Sequence, residues 1–115
     1  MKIFVTGGTG YIGQVLVAEG VALGHEMVVL TRSLDKIKEL QEMGAQAVVG
    51  DLNFDGDWID EMNACDAVIH LAAPPTWGKK VTKKVAQQYA DGHYQLTQRL
   101  FNKLDPQKMK KVIFV

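Results

Sequence analysis

The 115-residue chain reads as an α/β protein: a doubly wound parallel sheet of five strands, breaking off after the fifth. Two observations predict this. Short apolar runs alternate with stretches of helical periodicity along the whole chain, and apolar strands bounded by helices imply a parallel sheet covered on both faces. The first run, Ile3-Phe4-Val5, passes directly into Thr6-Gly7-Gly8-Thr9-Gly10-Tyr11-Ile12-Gly13, a glycine turn joining a strand to a helix. Right-handed crossovers then place a crevice at the carboxyl ends of the strands.

Lys2 to Thr6 forms the first strand. Tyr11 to Leu23 follows as a helix with Ile12, Val15, Leu16 and Leu23 as its apolar face, Gly20 lowering its propensity and Gly24 at its stop. Glu26 to Thr31 is the second strand. Ser33 caps a helix with apolar positions Leu34, Ile37, Leu40 and Met43, ended by Gly44. Ala47 to Val49 makes a short third strand that finishes at Gly50-Asp51. A brief helix around Trp58, Ile59 and Met62 leads to the fourth strand, Ala67 to Leu71. Pro74-Pro75 breaks the chain before a long helix carrying Val81, Val85 and Tyr89, then Leu96, Leu100 and Leu104, at four-residue steps, with Pro106 after its end. Lys111 to Val115 opens the fifth strand. Without repeats or low-complexity tracts, residues 1–115 read as one domain.

The glycine turn carries the chemistry. Gly8, Gly10 and Gly13 satisfy G-x-G-x-x-G, and Gly7, Gly10 and Gly13 satisfy the shifted frame G-x-x-G-x-x-G. Glycines at the turn admit backbone angles that a Cβ opposes and let the main chain approach a phosphate, while Gly13 lets the helix pack tightly on the strand. Free N–H groups and the positive end of the helix dipole then face an anion. An ordinary tight turn is the plain alternative. The strand before it and the helix after it favour a dinucleotide pyrophosphate held about Gly7, Gly10, Tyr11, Ile12 and Gly13.

Thirteen basic residues balance thirteen acidic ones, so no net field draws the chain to nucleic acid or to an anionic membrane. Lys79, Lys80, Lys83 and Lys84, then Lys108, Lys110 and Lys111, cluster locally. Solvated surface accounts for them, and attraction of a phosphorylated substrate is the alternative for the first group. The single cysteine, Cys65, cannot close an internal disulfide and has apolar neighbours, which suits a small buried side chain in a reducing cytoplasm. The sequence has no basic-then-apolar leader, no long apolar span and no Cys-rich or His-rich metal set.

Four segments resemble the extended short-chain dehydrogenase/reductase family, also called the NAD(P)-dependent epimerase/dehydratase family. They are Val5-Thr6-Gly7-Gly8-Thr9-Gly10-Tyr11-Ile12-Gly13, Gly50-Asp51-Leu52, His70-Leu71-Ala72-Ala73 and the helix pattern around Thr97, in family order and at family-like spacing. The resemblance spans the chain but only the opening part of a typical member, and it implies a Rossmann-type cofactor domain. It implies that Asp51 accepts a hydrogen bond from the adenine amino group, that the Leu52 backbone touches the ring, and that Ala72 and Ala73 line the cofactor. A strand-end aspartate in a turn is the plain reading of Asp51. His70 is expected to pack or hydrogen-bond at the strand end rather than perform chemistry.

An acidic residue about 20 positions after the glycines would bind the ribose hydroxyls of NAD. This chain has Thr31-Arg32-Ser33 there instead. Arg32 can fork onto a 2′-phosphate, helped by the Ser33 hydroxyl or backbone, so NADP is expected ahead of NAD. A solvent-facing arginine at a helix start is the alternative.

Two departures from the family stand out. Its Asn-x-x-Gly-Thr pattern is eroded to His93, Leu96 and Thr97, so no role passes to His93. Its catalytic Tyr-x-x-x-Lys pair follows the fifth strand, whereas Tyr89 here is followed at the fourth position by His93, and Tyr94 by Gln98. No residue of this chain is therefore expected to be catalytic. The expectation is the cofactor-binding opening of a longer NADP-preferring epimerase, dehydratase or reductase acting on a sugar nucleotide or a small carbonyl or alcohol compound. A non-catalytic module sensing NADP(H) is the alternative. Expected partners are a dinucleotide and, in a full-length protein, a small-molecule substrate, with homo-oligomers left open.

Overall fold

The computed structural model describes residues 1–71, 83–108 and 111–114, with only the backbone of Val85, Tyr89, His93 and Phe114. Ala72, Ala73, Pro74, Pro75, Lys79, Lys80, Val81, Lys110 and Val115, on which parts of the sequence reading fall, lie outside the described residues. So do the side chains of Val85, Tyr89 and His93.

Strands β1 (Lys2–Thr6), β2 (Glu26–Thr31), β3 (Gln46–Val49), β4 (Ala67–His70) and β5 (Lys111–Phe114) alternate with helices α1 (Tyr11–Ala22), α2 (Asp35–Glu42), α3 (Trp58–Asn63) and α4 (Lys83–Lys103). The five strands form one sheet in the order β3-β2-β1-β4-β5, and every pairing is parallel. β1 is central, and the order reverses beside it, between β2 and β4. That reversal opens the crevice at the strand ends.

Strand alternation sends side chains to two cores. Phe4, Val28, Leu30 and Val68 face α3 and α4, where they meet Trp58, Met62, Cys65 and Leu100. Val5, Met27 and Val29 face the other way, against Val17 of α1 and Leu40 of α2. Because both faces are buried, the central strands are apolar at nearly every position, which is why they stand out in the sequence. Gly24 (φ 87°) and Gly44 (φ 90°) end α1 and α2 in the left-handed region, as their positions predict.

Two expectations fail. The buried side of α1 is Gly13, Val17 and Gly20, whereas Ile12, Val15 and Leu23 are 66%, 61% and 69% exposed. The helix lies too close to the sheet for side chains at the glycine positions: a Cβ on Gly20 would stand 2.4 Å from Met27 Sδ. Ser33, secondly, does not cap α2 with its side chain, since the helix begins behind Leu34 without a side-chain cap. The Ser33 N–H donates instead to Thr31 Oγ1 at 3.1 Å, and the turn this makes leaves Leu34 72% exposed, not in the core.

Cys65 is buried, as expected, and its Sγ donates to Glu61 O at 3.3 Å. Burial pushes the thiol up from 9.0 to about 11, with Lys2 pulling it partly back. As pH rises, the unfolded chain loses this proton first while the folded chain keeps it. Stability is therefore expected to fall between pH 9.0 and about 11. Cys65→Ala should flatten that decline in urea midpoints measured across the window. Parallel profiles for the two proteins would refute it.

Candidate functional site

The site grows from the end of β1. Gly7 takes φ 76° and turns the chain so that its carbonyl accepts the Gly10 N–H at 3.2 Å. Gly10 precedes α1 in an extended conformation, with no side-chain cap and no acidic residue in the first turn. The first N–H groups of the helix thus lack intrahelical partners and face away from it, where an anion would complement the dipole. Gly13 sits directly behind the turn: a Cβ there would meet Gly7 O at 2.1 Å and Gly8 Cα at 2.7 Å. A Cβ on Gly8 would come within 2.6 Å of Val29 Cγ1. A Cβ on Gly10 would meet only Gly7 O, at 3.5 Å, an ordinary contact. Both glycine frames therefore have steric content. Gly8 and Gly13 serve packing, Gly7 serves the turn, and Gly10 alone leaves space on the open side.

Beyond the turn lies a cleft of about 520 Å³, and a hollow of about 350 Å³ adjoins it. Both volumes suit small-molecule sites. The cleft gathers Gly7, Gly10, Thr31, Arg32, Asp51 and Leu52 of the sequence reading; the hollow gathers Tyr11, Ile12 and Gly13, with Gly7 and Gly10 shared. Ser33 stands behind Arg32, its peptide N–H already engaged by Thr31, so any help it gives a ligand falls to its hydroxyl. Ala72 and Ala73 lie outside the described residues.

Several lining residues were not anticipated, among them Thr6, Asn53, Leu71, Gly92, Gln95 and Leu96. Gly92, Gln95 and Leu96 form one face of α4, at spacings that place them together. A glycine inside a long helix was the signal available for that wall. Asp51 Oδ1 accepts both the backbone N–H of Asn53 at 2.9 Å and its side-chain Nδ2 at 3.0 Å. The turn reading of Asp51 thus holds, and Asp51 also lines the cleft. Behind this wall Trp58 is buried, donating Nε1 to Phe54 O at 2.9 Å, and packs so closely that a Cβ on Gly50 would meet its Cδ1 at 2.5 Å.

At the other wall His70 is buried and hydrogen-bonded, as expected. Its Nδ1 lies 2.6 Å from Thr6 Oγ1 and its Nε2 3.3 Å from Thr97 Oγ1. Thr6 Oγ1 also accepts the Leu71 N–H at 3.2 Å. Among the described residues the ion pairs join Lys36 to Glu39, and Arg99 and Lys103 to Asp55. Arg32 is in none of them. Among the described residues no cluster of His, Cys, Asp or Glu could hold a metal ion.

The model of the NAD dependent epimerase/dehydratase family matches residues 3–115. The chain belongs to that family. Its relatives include the sterol-4-alpha-carboxylate 3-dehydrogenase (decarboxylating) of Dictyostelium discoideum, 32% identical over 88% of this chain and 30% of its own length. A UDP-glucose 4-epimerase sequence of Klebsiella pneumoniae is 31% identical over 99% of this chain and 87% of its own. Among solved structures, UDP-glucose-4-epimerase from Stenotrophomonas maltophila, with bound NAD and formylated UDP-arabinopyranose, superposes with a TM-score of 0.78 at 25% identity. The match covers 99% of this chain and 36% of that one. Against the Dictyostelium relative and this structure, the chain spans about a third of the partner's length. The fold follows from this membership. In the described residues no helix is long and apolar enough to cross a membrane.

Proposed function

We propose that this chain is the cofactor-binding opening of a longer epimerase, dehydratase or reductase that prefers NADP(H) to NAD(H). The observation carrying the preference is Arg32, exposed at the carboxyl end of β2 on the rim of the cleft and outside any ion pair among the described residues. A guanidinium there can fork onto a 2′-phosphate, where an acidic residue would repel it. The pyrophosphate falls to the turn of Gly7, Gly10 and Gly13 and the N–H groups of Tyr11 and Ile12. Asp51 accepts from the adenine amino group beside the Leu52 backbone. By the family resemblance, Ala72 and Ala73 are assigned to the cofactor near its pyrophosphate and nicotinamide ribose. The cofactor, when bound, supplies hydride transfer; these residues bind and orient it. The substrate is a sugar nucleotide or a small carbonyl or alcohol compound, in keeping with the names of the relatives, and its pocket is assigned to the remainder of the protein.

Titration of the full-length protein with NADP+ and NAD+, followed by turnover assays, tests this. Tighter NADP+ binding with turnover is expected. Equal or tighter NAD+ binding overturns the preference, and binding without any turnover points instead to a sensing module.

A further inference from the structure

His70 does more than fill the strand end. Its ring is 1% exposed and lies between two threonines of different elements. Thr6 ends β1, lines the cleft and leads into the glycine turn. Thr97 lies on α4 immediately after Gln95 and Leu96, which line the opposite wall of the same cleft. One imidazole thus spans the sheet end and the helix that face each other across the cleft. Either tautomer can serve, because a threonine hydroxyl donates or accepts as required.

The other described side-chain ties of α4 lie toward its far end. Arg99 Nη2 and Lys103 Nζ reach Asp55 at 3.0 and 3.2 Å, and Asn63 Nδ2 donates to Lys103 O at 2.9 Å. From Thr97 to Lys103 the helix advances roughly 9 Å, at about 1.5 Å per residue. Loss of the Thr97 bond removes a polar tie next to Gly92 and Gln95 and leaves Leu96 and Leu100, packed on the core, to hold that stretch of α4.

We infer that His70 is a positioning residue of the dinucleotide cleft, setting the separation of its walls by holding Thr97 of α4 to Thr6 of β1. The inference rests on the dinucleotide reading of the cleft. It assigns no proton transfer to the imidazole. Gln95 on the α4 wall lines the same cleft as Arg32 and Asp51, the residues assigned to the adenosine half, so the effect of His70 falls on that half of the ligand.

The test compares Thr97→Val and Thr97→Ser in the full-length protein with wild type, titrating NADP+, 2′,5′-ADP and nicotinamide mononucleotide well below each melting temperature. Valine keeps the shape of threonine and replaces the hydroxyl with a methyl, which removes the bond to His70 Nε2 without opening a cavity beside it. Thr97→Val should weaken NADP+ and 2′,5′-ADP by the same factor, about threefold to tenfold, the range of one hydrogen bond. Nicotinamide mononucleotide should be unaffected, and Thr97→Ser should restore wild-type binding. Unchanged 2′,5′-ADP affinity in Thr97→Val, whatever its melting temperature, overturns the positioning role while leaving the dinucleotide reading intact. Failure of the wild type to bind any of the three overturns both.

Discussion

Gly13→Ala is expected to destabilise the protein and remove most of its dinucleotide affinity, whereas Gly10→Ala should lose affinity alone. The added methyl at position 13 lands 2.1 Å from Gly7 O, 2.7 Å from Gly8 Cα and 2.9 Å from Gly7 C. All three are backbone atoms, so no side chain can swing aside. Relief requires α1 to lift from β1 or the turn to open, and either displaces the Gly7 carbonyl that holds the Gly10 N–H. Overpacking of this kind costs about 1–3 kcal/mol, while alanine regains roughly 1 kcal/mol of helix propensity over glycine. The steric cost wins because the clash is with main chain. Binding should fall by about tenfold for each 1.4 kcal/mol of lost phosphate contact. At position 10 the methyl meets only Gly7 O at 3.5 Å, and φ of −73° suits alanine. It projects toward the space shared by cleft and hollow. Thermal melts and calorimetric titrations on both variants check this. A Gly13→Ala protein that melts and binds like wild type, or a Gly10→Ala protein that binds normally, refutes the assignment.

Arg32→Ala should separate the two cofactors. Loss of the guanidinium is expected to weaken NADPH by about 1.5–3 kcal/mol, the range for a hydrogen bond to a charged group, and to leave NADH nearly unchanged. Arg32 is exposed, so salt should screen much of its long-range attraction, and the difference should shrink at high ionic strength. Arg32→Asp goes further: its carboxylate would oppose the 2′-phosphate and accept from the ribose hydroxyls of NADH, inverting the order of affinities. Equal losses for both cofactors in Arg32→Ala would mean that the arginine does not read the phosphate.

The strands were legible because burial on both faces leaves runs such as Met27-Val28-Val29-Leu30 with no polar interruption. The helix stops at Gly24 and Gly44 were legible because only glycine takes their backbone angles at little cost. The face of α1 was not, since hydropathy has no symbol for closeness: Gly13 and Gly20 are buried for what they lack. The supposed cap at Ser33 failed because the helix starts one residue later, which puts Leu34, with no side-chain acceptor, at the cap position. Much of the cleft followed from local motifs, as with Gly10, Arg32 and Asp51. The link from Thr6 through His70 to Thr97 did not, because it joins residues 64 and 27 positions apart. Chain pattern reports what a residue is and who sits beside it in sequence, and such contacts depend on who sits beside it in space.

The strand order also has a consequence in time. β1 pairs with β2 on one side and with β4 on the other, so β1 is completed only by a strand that begins at Ala67. At about 5–20 residues per second, several seconds separate their synthesis. Through that interval Phe4 and Val5 wait on a half-paired strand, and the glycine turn exists before the wall that faces it. A nascent chain stalled before His70 would carry the glycine turn without a closed cleft, whose facing wall is complete only after Gly92, Gln95 and Leu96 of α4 have emerged from the ribosome.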